Sequence, residues 1–317
     1  MTVSRALRPG SSIASETRTA VLQAADRLGY VFDYAASTLR SQRTGFVAAL
    51  IPSINNANFA DTLRGLDEGL QDHGLQILLG YTDYDTANEE RLIEQLLPRR
   101  PEAMVVTGGN HTERARRLLM EAGIPVVEIW DLPARPIGHV VGFSNARATA
   151  AVVDHLVAQG LERIAFIGGE ARRDTRGADR RRGFVTTMTA HGLAADRLID
   201  AGAPPISMRE GAQAMADLLH RFPDTQAVIC VSDLSAFGAL TECQRRGIDV
   251  PGQIAIAGFG NYEIAGISVP SLTTSDPSPY DIGAKTAALI IEARAGALSQ
   301  PQKIVLTPQL CLRASTP

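Results

Sequence analysis

The sequence predicts an α/β protein whose main part has two lobes, each built on a doubly wound parallel sheet, with a short all-α segment before it. From residue 44 onwards, short β-rich runs alternate with amphipathic helical stretches. This alternation is typical of parallel strands joined by right-handed crossovers. The runs are almost continuous in valine, isoleucine, alanine and leucine, as expected for strands that helices cover on both faces. They are too numerous for one compact sheet, so we expect two sheets.

The strands and helices follow one another without a linker rich in serine or glycine. Strands are predicted at Phe46–Pro52, Gln76–Tyr81, Ala103–Gly108, Pro125–Trp130, Val140–Phe143, Arg163–Gly168, Ala227–Val231 and Ile254–Phe259. Helices are predicted at Leu63–His73, Glu89–Leu97, Arg114–Ala122, Ala148–Gln159 and Ser235–Arg246. Glycine, which adopts the left-handed conformation at little cost, ends helical stretches at Gly74, Gly123, Gly160, Gly192 and Gly247. Two such lobes form a hinged cleft, with ligands expected at the carboxyl ends of the strands.

The composition narrows the choice of partner and compartment. The 317 residues carry a net charge of -3, and only 5% are aromatic, which argues against binding of single-stranded nucleic acid by base stacking. The three cysteines show no CxxC or CxxH spacing, so we expect neither a zinc site nor a disulfide framework. No apolar run reaches membrane length, and no apolar leader opens the chain. We therefore expect a cytoplasmic protein without a cofactor, a metal or a membrane contact.

The first 43 residues differ in charge from the rest of the chain, with six arginines against three acidic residues. They open with the hexapeptide TVSRAL at residues 2–7, which a Pro-Gly break follows. An amphipathic helical stretch then ends in LGY at residues 28–30, and the segment ASTLR follows at residues 36–40. The charge excess alone is explained equally well by a solvated helix face or by contact with DNA.

These segments, followed by the α/β pattern, resemble the lac/galactose repressor family of transcriptional regulators. In that family TVSRAL begins the recognition helix of a helix-turn-helix, and ASTLR is similar to the hinge helix that wedges into the minor groove. The resemblance assigns operator contacts to Thr2, Val3, Ser4, Arg5, Leu39 and Arg40. The family's preceding helix is not in the printed sequence. We therefore expect this chain to bind effector and to dimerise, but to bind operator weakly or not at all.

The resemblance also implies a domain organisation. A partial helix-turn-helix domain would span residues 1–34, a hinge helix or linker residues 35–44, and a periplasmic-binding-protein-like core residues 45–317. Within the core, one lobe is expected at about 45–143 and 276–300, and the other at about 144–275 and 301–317. The implied protein is a repressor without enzymatic activity, working as a homodimer or a dimer of dimers.

Several residues near the ends of predicted strands are candidates for an effector site in the cleft. The family pattern places an aromatic ring, polar groups and an acid there, and the corresponding residues are Phe59, Asp61, Ser232, Asp233 and Phe259. His111 and Trp130 are added because they end predicted strands and so border the expected pocket. On the residues alone, Phe59 is explained equally well as part of the core and Asp61 as the residue that opens a helix. His111 and Trp130 are more often structural residues than ligand contacts.

Arg180 precedes Gly183-Phe184 by three residues, and in the family an arginine at this spacing points into the cleft. A guanidinium group is the natural partner of a carboxylate. The family's usual acid after Gly258-Phe259 is replaced here by Gly260, which makes the site less negative. The core is also similar to gluconate-utilisation repressors, as in Val141-Gly142-Phe143-Ser144-Asn145. These features predict a sugar or sugar-acid effector, with gluconate as the leading candidate.

Other functions fit the sequence less well. Gly142-Phe143-Ser144-Asn145-Ala146 is a near match to the G-x-S-x-G elbow of serine hydrolases, but the last histidine is His220, and none lies in a late strand-loop position. Gly258-Phe259-Gly260 is only a fragment of a dinucleotide fingerprint. A periplasmic solute-binding protein would have the same two lobes, but not TVSRAL. The remaining alternative is an effector-binding dimer that does not bind DNA.

Overall fold

The structure, a computed structural model, describes residue 6, residues 13–30 and residues 44–317. The chain forms two compact units, Met1–Thr44 and Gly45–Pro317. In the first unit, helix α1 spans Ser15–Arg27, and none of its residues is buried. The predicted operator contacts Thr2, Val3, Ser4, Arg5, Leu39 and Arg40 lie outside the described residues.

The second unit contains two six-stranded sheets, which confirms the predicted fold class. The strands of the first sheet are β1 Phe46–Ile51, β2 Gln76–Tyr81, β3 Met104–Thr107, β4 Val126–Ile129, β5 His139–Gly142 and β11 Lys303–Val305. The strands of the second sheet are β6 Ile164–Gly168, β7 Leu198–Asp200, β8 Ala227–Cys230, β9 Ala255–Phe259, β10 Thr273–Asp276 and β12 Gln309–Cys311. The strand orders are β11-β5-β4-β3-β1-β2 and β12-β10-β9-β8-β6-β7. Every pairing is parallel except that of β12 with β10.

Helices cover both sheets and form close pairs. They are α2 Ala57–Gln71, α3 Thr86–Leu96, α4 Glu113–Glu121, α5 Asn145–Ala158, α6 Thr175–Ala190, α7 Met208–Arg221, α8 Asp233–Arg245, α9 Glu263–Ile267 and α10 Pro279–Arg294, with a short 3-10 turn at Leu97–Arg99. Helix α2 packs on α10, α5 on α6, and α7 on α8. The five predicted helix-ending glycines all have left-handed φ angles, between 64° and 80°. No helix among the described residues has the length and apolar character needed to cross a membrane.

Within Gly45–Pro317 the chain passes between the lobes three times. The first two passages lie between β5 and α5 and between β10 and α10, and the third lies between β11 and β12. The sequence placed the third passage at residue 301, which is wrong, because Lys303 pairs with Val140 and Val305 with Gly142 in the first sheet. The correct boundary therefore follows Val305. Three chain connections at one edge create a hinge, with the carboxyl ends of both sheets facing the cleft.

Candidate functional site

A cavity of about 190 Å³ lies between the two lobes of the second unit, at the carboxyl ends of their strands. We call it the cleft cavity. Its lining from the first lobe is Ser53, Asn55, Asn56, Asn58, Phe59, Tyr84 and Trp130. Its lining from the second lobe is Asp174, Arg176, Arg180, Pro204, Pro205, Ile206, Ser207, Val231, Ser232, Leu234, Phe259 and Tyr262. Because both lobes supply the walls, a change in the lobe angle changes the shape of the cavity.

A row of aromatic rings connects the two lobes beside the cleft cavity. The ring centroids of Phe59 and Trp130 are 5.2 Å apart, those of Trp130 and Phe143 are 5.8 Å apart, and those of Phe143 and Phe259 are 6.0 Å apart. The indole Nε1 of Trp130 donates to Thr62 Oγ1 at 3.2 Å, which fixes the orientation of the ring. Such an apolar wall suits the C–H faces of a sugar-like ligand.

Arg180 lines the cleft cavity and is almost fully buried, with 8% of its surface exposed. Its Nε donates to Asn145 Oδ1 at 3.0 Å, and its Nη1 donates to the carbonyl of Val231 at 2.8 Å. Its guanidinium carbon lies 3.7 Å from the ring centroid of Phe259. Among the described residues, no carboxylate lies within ion-pair distance of this guanidinium. Burial lowers the pKa of Arg180, since a charged group is costly away from water.

Arg176 occupies the same face of α6, one helical turn before Arg180, and only 6% of its surface is exposed. Its guanidinium carbon lies 5.7 Å from the ring centroid of Phe59 and 5.8 Å from that of Tyr84. Both distances allow a favourable cation–π interaction. Within the part of the chain that the structure describes, the guanidinium of Arg176 has neither an ion pair nor a hydrogen bond. The cleft cavity therefore contains two buried cations without carboxylate partners.

Asp174 is the one carboxylate among the described lining residues of the cleft cavity. Its Oδ1 accepts from the backbone N–H of Gly177 at 2.9 Å, so it caps the first turn of α6. The formal charge of the lining is thus positive, with two arginines against one aspartate. The described residues hold no group of three or more His, Cys, Asp or Glu side chains placed to bind a metal ion.

Asn56 and Tyr262, which both line the cleft cavity, connect the two lobes by a hydrogen bond. The hydroxyl of Tyr262 donates to Asn56 Oδ1 at 2.7 Å, and the same oxygen accepts from the backbone N–H of Asn58, capping α2. Burial raises the pKa of the Tyr262 hydroxyl well above its ordinary value. The hydroxyl therefore stays protonated at neutral pH and acts as a donor.

Five of the eight predicted effector residues line the cleft cavity. They are Phe59, Trp130, Arg180, Ser232 and Phe259. Their contact with an effector stays a prediction. The side chain of Ser232 also caps α8, where it accepts from the backbone N–H of Ser235.

The cleft cavity is not lined by three of the predicted effector residues, Asp61, Asp233 and His111, so the prediction that they lie in its wall is wrong. Asp61 lies on the outer face of α2, where its carboxylate pairs with Arg64 at 3.0 Å. Asp233 is fully buried behind the cavity wall and accepts from Thr274 Oγ1 at 2.6 Å and from the backbone N–H of Tyr262 at 2.8 Å. Burial raises the pKa of Asp233 to about 6 despite these donors. Asp233 therefore positions the loop that carries Tyr262.

His111 lies within the first lobe, in a buried cluster with Glu89 of α3 and Glu128 of β4. Its Nδ1 lies 2.8 Å from Glu89 Oε2, and its Nε2 lies 3.5 Å from Glu128 Oε1. Burial lowers the pKa of His111, but the adjacent carboxylates of Glu128 and Glu89 outweigh this effect and raise it to about 9. The imidazole is therefore charged at neutral pH, and its role here is to hold the first lobe together.

Sequence reasoning did not assign Arg176, Tyr84 or Tyr262 to the cavity. Arg176 had a readable signal, because it precedes Arg180 by four residues, and side chains at this spacing share one face of a helix. Tyr84 had no such signal in the sequence. Its position in the cavity depends on left-handed backbone at Asp83 and Tyr84, whose φ angles are 55° and 54°. Such values are uncommon for residues other than glycine.

The suspected nucleophile Ser144 has a structural role. Its side chain accepts from the backbone N–H of Arg147 at 3.2 Å and so caps α5. In the described residues no histidine hydrogen-bonds to its hydroxyl. The arrangement lacks the base that a serine nucleophile requires.

Known proteins with similar sequences or structures agree with this architecture. A family model described as a periplasmic binding protein-like domain matches residues 153–316. The chain is 35% identical over 316 residues to the HTH-type transcriptional regulator GntR of Pseudomonas aeruginosa PAO1, covering all of this chain and 92% of that protein. A LacI family transcriptional regulator from Silicibacter pomeroyi has 45% identity and a TM-score of 0.82, over 86% of this chain and 99% of that one. The transcription regulator GntR from Chromobacterium violaceum has 34% identity and a TM-score of 0.79, over the same shares.

The two lobes and the cavity between them define a periplasmic-binding-protein-like, ligand-binding core. The chain belongs to the LacI family of transcriptional regulators, within which GntR-type regulators are among its relatives. These relatives are regulators and not enzymes, in agreement with the capping role of Ser144.

Proposed function

We propose that this chain is a repressor whose operator affinity is controlled by a sugar acid bound in the cleft cavity, with gluconate as the leading candidate. A ligand between the lobes stabilises the lobe angle that it binds best. It can alter DNA affinity only through this difference in binding between two states.

The observation that carries the proposal is the pair of buried arginines, Arg176 and Arg180. Each is more than nine-tenths buried, and neither has a carboxylate partner among the described residues. Burying a charge without a partner is expensive, so such a site favours a ligand that brings the opposite charge. A guanidinium group matches a carboxylate in charge and in geometry.

The remainder of the cleft cavity suits a polyhydroxy chain. The aromatic wall offers apolar surface, while Ser53, Asn58 and Ser207 offer polar groups for hydroxyls. Gly260 supports the preference for an acid over a neutral sugar, because the family's usual carboxylate is absent at this position. A Cβ at Gly260 would lie 2.4 Å from the ring of Tyr262 and 2.8 Å from Asn58 Nδ2. The side chains of Tyr262 and Asn58 therefore occupy the space that a larger residue at this position would need.

We expect isothermal titration to detect binding of gluconate and much weaker binding of glucose and galactose, because only the acid supplies a carboxylate. Replacing Arg180 with alanine should weaken gluconate binding at least tenfold, or by about 1.4 kcal/mol, because it removes one of the two buried positive charges that favour an acid in the cleft cavity. Arg221, at the end of α7 and away from the lining, provides a control variant. Binding of neutral sugars without binding of the acid, or an unchanged affinity in Arg180→Ala, would contradict the sugar-acid proposal.

We also propose a homodimer that uses the face formed by α7, α8 and the turn after α9. Ile267, the last residue of α9, and Val269, in the turn after it, are 71% and 78% exposed, which is unusual for such large apolar side chains. The amide of Gln244 donates to the carbonyl of Val269, so the turn is held beside α8. The face carries both Glu242 and Arg245, and an interface that pairs with its own copy needs both signs of charge.

A mobility-shift titration on the DNA that flanks the gene tests operator binding and stoichiometry together. We expect a complex of two chains per duplex whose affinity changes when gluconate is added, because paired half-sites require paired chains. Scrambled DNA of equal length provides the control for non-specific phosphate binding. A dimer that binds gluconate but shifts no DNA would instead support the alternative, an effector-binding dimer without DNA binding.

A further inference from the structure

The two arginines of the cleft cavity differ in how their donors are used. The guanidinium of Arg180 donates two hydrogen bonds to the protein, one to Asn145 Oδ1 and one to the carbonyl of Val231. Asn145 in turn donates to the carbonyl of Trp130 at 3.1 Å. Since Trp130 belongs to the first lobe and Val231 to the second, Arg180 is part of a hydrogen-bonded connection between the lobes.

Among the described residues, the guanidinium of Arg176 has no comparable hydrogen bonds to protein acceptors. It belongs to the second lobe, but its guanidinium lies against Phe59 and Tyr84 of the first lobe. A Cβ at Gly108, also in the first lobe, would lie 3.2 Å from its Nη1, so the absence of a side chain there leaves room for the group. The rings cover its surface but cannot replace in-plane acceptors for its N–H groups. Among the described residues none accepts a hydrogen bond from Arg176.

A guanidinium has five N–H donors, and where the protein supplies no acceptor, water or a ligand must accept from them. Asp174, the nearest acid of the lining, has one oxygen engaged by Gly177 and lies outside ion-pair distance of Arg176. Arg176 lines the cleft cavity and has N–H groups without a protein acceptor among the described residues, so a carboxylate bound there could accept two of them in parallel.

We propose that Arg176, and not Arg180, binds the effector's carboxylate and determines the selectivity for acids, while Arg180 positions the lobes. This inference rests on the proposed function, since it assigns the roles of residues within the same site. It also places the carboxylate at the boundary between the lobes, where Arg176 meets Phe59 and Tyr84. Binding of the acid therefore stabilises the lobe arrangement in which these three side chains are in contact.

The test compares gluconate with glucitol, which has the same carbon chain with a hydroxymethyl group in place of the carboxylate. Isothermal titration of Arg176→Gln is expected to show a ten- to hundredfold loss of affinity for gluconate and no more than a twofold change for glucitol. Arg176→Lys keeps the positive charge but not the paired guanidinium donors, so it should lose less gluconate affinity than Arg176→Gln. Arg172→Gln, which removes an exposed charge from the turn before α6, should match the wild type.

The outcomes separate this inference from the proposed function. If the wild-type chain binds neither gluconate nor glucitol, the proposed function fails. If the wild-type chain binds gluconate and Arg176→Gln binds it equally well, only the role of Arg176 is overturned. Equal losses for gluconate and glucitol in Arg176→Gln would also overturn it, because they would show that Arg176 shapes the cavity without reading the carboxylate. Thermal unfolding of each variant verifies that it is folded.

Discussion

Replacing His111 with alanine is expected to lower the free energy of unfolding by about 3–5 kcal/mol, the cost of removing one partner from a buried ion pair. The side chain of His111 is 1% exposed, and its two partners, Glu89 and Glu128, are 7% and 0% exposed. Without the imidazolium, two carboxylates remain close together in the first lobe with no positive charge between them. Denaturant unfolding measures the effect.

Two further variants identify the cause of that loss. His73→Ala removes an exposed histidine at the end of α2 and should change the free energy of unfolding by no more than about 0.5 kcal/mol. Adding Glu89→Gln and Glu128→Gln to His111→Ala should recover part of the lost stability, because neutral amides are less costly to bury than unpaired carboxylates. If the triple variant is less stable than His111→Ala, the destabilisation is not caused by uncompensated charge.

The same cluster predicts how stability depends on pH. The folded pKa of His111, about 9, lies above its ordinary value of 6.5, so the protonated form is favoured by folding. Its contribution is complete below about pH 6.5, decreases as the pH rises, and is lost above about pH 9. The difference in stability between the wild type and His111→Ala should therefore narrow from pH 7 to pH 10. A constant difference over this range would mean that the imidazole is not charged in the folded protein.

The order of the elements could be predicted because each one depends on local pattern. The runs of β1, β6 and β9 are apolar on both faces, and helix ends are marked by glycines that need left-handed backbone. The strands β7, β11 and β12 have only three residues each, too few to show a periodicity. Strand β11 in particular is ordered by pairing with β5, far earlier in the chain, which explains why the third passage between the lobes was misplaced.

The residues of the candidate site likewise fall into those that local pattern predicts and those that depend on long-range contacts. Phe59, Trp130, Ser232 and Phe259 lie at or just beyond the carboxyl ends of strands β1, β4, β8 and β9, where the topology alone brings residues together. The partner of a charged residue could not be predicted in this way. His111 is separated by 22 residues from Glu89, and only the folded lobe brings the two side chains into contact. The role of Arg176 likewise depends on rings from the other lobe. Local pattern therefore locates the cleft, but the pairing of charges within it requires the structure.

The packing of α2 against α10 gives the second large effect, because glycines allow the two helices to approach very closely. A Cβ at Gly283 of α10 would lie 1.9 Å from the carbonyl oxygen of Thr62 and 2.7 Å from the backbone nitrogen of Leu66, both on α2. A Cβ at Gly65 of α2 would lie 2.3 Å from the carbonyl oxygen of Tyr280. Backbone atoms cannot rotate away as side chains do, so a methyl group at either position forces the helices apart.

Gly283→Ala is therefore expected to lower the free energy of unfolding by about 1–3 kcal/mol through overpacking. Helix α2 also carries Asn58 and Phe59 into the cleft cavity, so its displacement should weaken gluconate binding as well. Gly266→Ala in α9 is the matched control, since a Cβ there has no atom within 4 Å, and alanine favours helix over glycine by up to about 1 kcal/mol. Denaturant unfolding and isothermal titration measure the two effects separately. Unchanged stability in Gly283→Ala would mean that α2 and α10 lie further apart than this packing requires, whereas lost stability with full gluconate affinity would mean that α2 does not position the cavity wall.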